Sequence, residues 1–437
     1  MRIAVIGSGI SGLASAYLLH PQAEVHLFER DTRVGGHSHT VEADFNGVKV
    51  PVDTGFIVFN PLNYPNLVSM FERLDVPWIE SDMSFAVSLR EGDCEYEGSL
   101  TGFVAQPGNL LRSRYWAMLS DLVRFYRTGY RKAFSGPRDE SLAQFLSRES
   151  YATAFVEDHL LPMGAAIWSC SAQTMLDYPV RSFLQFMENH KLLNFIERPR
   201  WRTVKGGSRE YVTRVVDSLG GMQGGRVHLD THITGIRRDQ GGVILSIRGE
   251  GDVWFDKAVM AAHADQSLAM ISDATPLERD ILSSFRFQPN RAVLHSDPSL
   301  MPKRRGAWGS WNYIGSDGAG DSLCLTYWMN RLQSIDNAYP LFETLNPHRE
   351  PDPALVHGIY SYDHPMFDER AVQGQQRLPA IQGSGDLFFA GAWTGHGFHE
   401  DGLKSAIAVA RTLGAEIPWD TQVRPYLLPP PDDREIA

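Results

Sequence analysis

Residues 3–19, IAVIGSGISGLASAYLL, set the tightest limit on what this chain can fold into. Ile3, Val5 and Ile6 form a short apolar run of strand type, and Gly7, Gly9 and Gly12 follow at G-x-G-x-x-G spacing. Ala14, Ala16, Leu18 and Leu19 continue in a helix-forming segment, and a second strand pattern, EVHLFE, ends on Glu29. Strand, glycine turn, helix, strand and acid is the order that a dinucleotide-binding βαβ unit requires. Gly7 permits the tight turn, Gly9 lets a pyrophosphate approach the backbone, and Gly12 lets the helix pack on the strand. The helix start, with Ser11 in its first turn, offers unpaired N–H groups and a positive dipole end. Glu29 can accept hydrogen bonds from a ribose diol, with Arg30 beside it. A secretory signal would also begin with a positive residue and small apolar ones, but a second strand follows here instead of a cleavage-type segment.

At 437 residues the chain exceeds one simple core, and two domains are expected. A net charge of −11 argues against nucleic acid as the main partner. No stretch reaches the roughly 18–20 uncharged apolar residues of a membrane-spanning helix. Cys94, Cys170 and Cys324 are far apart and odd in number. That suits a reducing cytoplasm and gives neither a disulfide framework nor a thiolate metal cluster. The last stretch, residues 421–437, is proline-rich and acidic and reads as a loose tail.

Two further stretches bear on which dinucleotide is bound. ERDTRVGGHSHT places Arg33, Gly35 and Gly36 just past the ribose acid, in a loop expected to fold back over the pyrophosphate. Near the other end, LFFAG reads as a buried strand ending in Gly391, and GLKSAIAVARTL from Gly402 reads as a helix. A strand, glycine loop and helix start so far from the first suggest one long cofactor gripped by both ends of the chain. FAD fits that length.

Together, RIAVIGSGISGLASAYLL, LFERDTRVGGHSHT, VDTGFIVFN, VKGGSREYV and LFFAGAWTGHGFHEDGLKSAIAVA resemble the flavin-containing amine oxidase superfamily, which includes phytoene desaturases and protoporphyrinogen oxidases. Within it the chain is most similar to bacterial FAD-binding flavoproteins found beside cyclopropane-fatty-acid synthases, and to the region preceding the synthase in plant cyclopropane synthases. The resemblance implies an α/β fold: a discontinuous Rossmann-like FAD domain from residues 1–85, 200–272 and 380–420, and a mixed α+β substrate domain from 86–199 and 273–379. It assigns Gly7, Gly9, Gly12, Glu29, Arg33, Gly35 and Gly36 to the ADP half. It places Thr54, Gly55, Phe56, Gly391, Trp393, Gly402 and Leu403 near the flavin, and Ile233 or a neighbour at the adenine. The cysteine used for covalent attachment in some relatives is missing from the C-terminal glycine region, so non-covalent FAD is expected. The paired aromatics of a monoamine oxidase site are not recognisable, which weighs against an amine substrate.

Other constellations leave more than one reading open. The histidines of HSH (His37, His39) and HGFHED (His396, His399) sit in cofactor-loop motifs at poor metal-ligand spacing, and no metal is expected. His399 is a candidate proton donor or hydrogen-bond partner beside the flavin, and Lys205 of VKGGSREYV a candidate for orienting a water. Trp311, Tyr313, Tyr327 and Trp328 alternate between faces of strand-like segments, one face being core and the other a candidate apolar substrate channel. Residues 110–134 combine apolar residues near helical spacing with Arg112, Arg114, Arg124, Arg127, Arg131 and Lys132, opposed locally only by Asp121. Such a basic helix suits either a substrate-domain surface or peripheral contact with the inner membrane surface. The expected activity is FAD-dependent oxidation of a hydrophobic, lipid-like acyl substrate, such as a desaturation. The alternatives are a flavin-dependent double-bond isomerase and a non-catalytic flavin-binding accessory to a lipid methyltransferase.

Overall fold

The computed structural model describes residues 1–168, 171–194, 199–222, 224, 226–315 and 324–419. Cys170 and the expected tail at 421–437 lie outside the described residues. The chain is an α/β protein built on two large sheets.

The first sheet begins with β1 (Arg2–Ile6), which turns through Gly7 into α1 (Ile10–Leu19) and returns as β2 (Glu24–Phe28). Its five strands run in the order Val227–His228, β2, β1, Lys257–Met260, Leu387–Phe389, and every pairing is parallel. Both faces are therefore covered, and β1 reads as an unbroken apolar run. Ile3 and Val5 face one core with Leu13, Val25 and Ile407, and Ala4 and Ile6 face another with Phe28, Val243 and Met260. α1 packs on the C-terminal helix His399–Thr412 over the first face. The second face carries the antiparallel strands Ile233–Asp239, Gly242–Ile247 and Gly251–Phe255. The first two are joined by Gln240 and Gly241, both at positive φ, as a two-residue hairpin turn needs. VWFDKAVMAA reads as one strand in the sequence but forms two, in different sheets. The break falls at Asp256, whose carboxylate accepts a bond from the Arg2 N–H (2.6 Å).

The second sheet has seven strands, from Val356–Met366 through Arg286–His295, Phe342–Leu345, Leu325–Trp328, Trp311–Ile314 and Phe85–Leu89 to Cys94–Glu97. Helices including α3 (Ser113–Ser135; α2 is Pro65–Arg73), Leu161–Trp168 and Val180–Asn189 bury their apolar stripes in its core cluster. In α3 that stripe, Tyr115, Met118, Leu122 and Phe125, is buried, so it serves the core. The neighbouring cations are also less free than the sequence suggests. Arg112 pairs with Asp93, Arg114 with Glu157 and Asp158, Arg124 with Asp121, and Lys132 with Glu149. No described helix is long and apolar enough to cross a membrane.

Candidate active site

The β1–α1 turn is shaped by backbone contact. A Cβ on Gly12 would lie 1.8 Å from the Gly7 carbonyl oxygen, and Gly7 itself has φ +100°. Gly9 differs: its φ is −66°, and a Cβ there would meet nothing within 4 Å. Its missing side chain leaves room in front of α1, whose first turn no side chain caps. Glu29, at the end of β2, accepts from Ser8 N–H (2.9 Å) and Ser8 Oγ (2.5 Å) on one oxygen and from Asp31 N–H (2.9 Å) on the other. The second oxygen keeps a lone pair for another donor. The glycine loop then doubles back: Gly35 N–H donates to the Ser8 carbonyl, and a Cβ on Gly36 would fall 2.9 Å from the Gly9 Cα.

These residues line one end of a cavity of about 610 Å³, and Gly391, Ala392, Trp393 and His396–His399 line the same cavity. The two ends of the chain thus meet at one site. Gly7, Gly9, Ser11, Glu29, Arg30, Gly36, Gly55, Phe56, Ile233, Gly391, Trp393 and His399 all border it. Several expected residues do not. Gly12 and Gly35 shape the loops behind it. Arg33 donates to the Gly36 carbonyl (2.8 Å) and ties its own loop down rather than facing the cavity. Thr54 is buried, with Oγ1 2.6 Å from the Tyr362 hydroxyl. Gly402 lies against α1, where a Cβ would be 2.7 Å from Ile10 Cγ2, and Leu403 is wholly in the core. Both hold the C-terminal helix on α1 instead of touching the cavity. Asp53 accepts from Ser208 N–H and Oγ, Thr40 Oγ1 and Gln333 Nε2, and so anchors the start of the helix Arg209–Ser218.

Six histidines line the cavity: His37, His232, His263, His364, His396 and His399. Burial pulls His396 and His399 to about 3 and His364 to about 4. Burial also holds His37 well below the ordinary imidazole range, helped by His364 and His263. At neutral pH these four imidazoles are uncharged. Among the described residues no three His, Cys, Asp or Glu side chains are placed to hold a metal. His399 stacks on Phe56 with ring centres 3.7 Å apart, and its Nε2 is 2.9 Å from Ser38 Oγ. That makes it a neutral hydrogen-bonding group rather than a cationic proton donor. Lys205 is exposed on the turn after the strand Trp201–Val204, outside the cavity, so the water-orienting role read from the sequence has no geometric support.

At the far end the wall is apolar and aromatic. Trp311 and Tyr327 are cross-strand partners, with rings edge to face at 5.1 Å. Tyr313 and Trp328 lie elsewhere: Tyr313 packs against the Val87–Tyr96 cluster, and Trp328 faces Trp308 on the opposite side of the sheet. Met83, Ile167, Trp168 and Trp201 complete this end. Each comes from a different element, or from a helix that reads as plain core, so no local sequence pattern marks them. His263 had a signal: it follows the parallel strand Lys257–Met260, where ligand-facing loops of such sheets lie.

An open glycine before an uncapped helix, an acid at the neighbouring strand end and a cavity running on to an aromatic wall suit a long dinucleotide with a ring system. Comparison with known families agrees: the sequence profile described as flavin containing amine oxidoreductase matches residues 10–290. The chain belongs to this family. It is an FAD-dependent oxidoreductase, and no cysteine is among the described residues that line the cavity. No curated protein sequence matches it. Solved structures share the fold of this flavin amine oxidoreductase. A CLA-producing fatty acid isomerase from P. acnes has TM-score 0.64 at 16% identity, covering 94% of this chain and 98% of that one. Cyclohexylamine oxidase from Brevibacterium oxydans IH-35A has TM-score 0.64 at 15% identity, covering 94% and 99%. Putrescine oxidase bound to putrescine has TM-score 0.64 at 13% identity, covering 94% and 99%.

Proposed function

We propose that this flavoenzyme oxidises a hydrophobic, lipid-like substrate, such as a fatty acyl chain undergoing desaturation. The observation that carries this reading is the wall around Trp311 and Tyr327. Met83, Ile167, Trp168, Trp201 and Phe367 continue it, and no charged side chain is among them. Such a surface gains from burying methylene groups and offers a protonated amine no counter-charge. The charged lining residues are Glu29 and Arg30 at the βαβ end and Asp363 on the strand Val356–Met366, whose carboxylate acts on His263, and none of them belongs to the aromatic wall.

Gly9 and the start of α1 would admit the pyrophosphate, and Glu29 Oε1 would accept from a ribose hydroxyl. Bound FAD supplies a hydride acceptor in its ring. The chain's own part is to hold the acyl chain against the aromatic wall, keep water out, and keep the surrounding imidazoles uncharged. The likeness to flavoproteins found beside cyclopropane-fatty-acid synthases points to acyl chains of membrane lipids, with a lipid methyltransferase as the partner.

A double-bond isomerase is the second reading, favoured by the fold shared with a fatty acid isomerase. Anaerobic mixing with unsaturated and saturated acyl substrates separates the two. Lasting bleaching of the flavin with one product double bond added supports oxidation. Product formed without lasting bleaching supports isomerisation. Bleaching by alkylamines but by no acyl substrate overturns the lipid assignment.

A further inference from the structure

The segment between Leu100 and α3 turns both of its amide side chains inward. Gln106 is 7% exposed and Asn109 0%. Gln106 Oε1 accepts from Glu95 N–H, its Nε2 donates to the Asp93 carbonyl, and Asn109 Nδ2 donates to the Glu95 carbonyl. Leu100 and Leu111 point the other way, 90% and 91% exposed, while Phe103 and Leu110 pack partly buried against the Val87–Tyr96 cluster. The segment is pinned from below, so this exposure comes from its fixed shape and not from looseness. The Tyr115 hydroxyl donates to the Phe103 carbonyl, and Trp116 Nε1 to the Leu110 carbonyl.

The apolar surface continues onto α3. Trp116, Ser120, Val123, Arg127 and Arg131 recur at helical spacing on its outward side, and all five are exposed. Among the described residues, five of the fourteen exposed large apolar side chains fall between residues 100 and 123. Scattered exposed apolar residues are ordinary, but a concentration of them marks an interaction surface. Arg127 and Arg131 have no acidic partner among the described residues, unlike the paired cations on either side of them. The patch is thus apolar and cationic in a chain of net charge −11.

We infer that Leu100, Val104, Leu111, Trp116, Val123 and the two arginines form a docking face for a bilayer surface carrying anionic lipid. The leucines and Val104 enter the interface, Trp116 sits at headgroup level, and Arg127 and Arg131 meet lipid phosphates. The acidic remainder of the surface is repelled by the same membrane, which orients the molecule. This face is distinct from the cavity, and the inference stands whatever the substrate is.

Co-sedimentation of the flavin-loaded full chain with phosphatidylcholine vesicles, with and without phosphatidylglycerol, tests it. The wild type is expected to pellet with the anionic vesicles and to lose binding as salt rises. Leu100→Ser/Leu111→Ser and Arg127→Glu/Arg131→Glu should each weaken partitioning by about tenfold. Leu62→Ser, at an exposed apolar site elsewhere, should leave it unchanged. Unaltered flavin content and melting temperature verify that the variants are folded. Absence of wild-type binding, or binding that survives both double substitutions, overturns the inference. So does concentration-dependent self-association in solution that Leu100→Ser/Leu111→Ser abolishes, since the face would then join two copies of the chain.

Discussion

Three residues read from the sequence as functional separate cleanly once their surroundings are known. Gly9 has an extended backbone that any residue can adopt and open space where a side chain would go. Gly9→Val is therefore expected to leave the melting temperature of flavin-stripped protein within about 2 °C of wild type while abolishing flavin retention. Gly12→Ala should do the reverse kind of damage. Its Cβ would collide with the Gly7 carbonyl, and urea denaturation should show a loss of about 3 kcal/mol. Lys205 is a negative case: on its exposed turn, Lys205→Met should change the rate of flavin reduction by less than about twofold in stopped-flow absorbance.

At the scale of elements, the C-terminal helix ties the two ends of the chain together through Glu400. Its buried carboxylate accepts from Asn66 N–H (3.1 Å), Asn66 Nδ2 (2.7 Å) and Leu67 N–H (3.0 Å), and so caps α2 from a distant helix. Glu400→Ala strands these donors and should cost about 2 kcal/mol in a urea titration. No sequence motif announces such a cap, because its donor and acceptor lie more than three hundred residues apart. What the sequence does show is local. The βαβ unit is legible in residues 3–29 because each part follows its neighbour, and so is a hairpin near residue 241, although the sequence points to a Gly241–Gly242 turn and the structure makes it at Gln240–Gly241. The aromatic wall is not, since Met83, Trp168, Trp201 and Trp311 meet only after the sheets have formed. The sequence reads a helix from Gly402, whereas the helix begins at His399, so Gly402 and Leu403 lie past its first turn and pack on α1 instead of facing a ligand.

For the molecule as a whole, the buried histidines set an acid limit. His364, His396 and His399 titrate near 3–4 when folded, against about 6.5 in an unfolded chain. Between those values the unfolded chain holds more protons, so stability is full above about pH 6.5 and is lost as pH falls toward 4. At about pH 5 each contributes a loss of roughly 2 kcal/mol. Urea midpoints measured at about pH 7.5 and pH 5 should differ accordingly, and substituting His396 by Gln should shrink the difference. The first sheet has a different consequence. Its last strand, Leu387–Phe389, enters beside Lys257–Met260, and the helix that covers α1 follows it. During synthesis the nucleotide-binding half therefore waits on the ribosome with the edge of Lys257–Met260 bare until residues 387–389 have emerged. Translation that lingers before residue 387 should accordingly lower the yield of correctly assembled enzyme, because nascent chains stalled there present that open edge to one another.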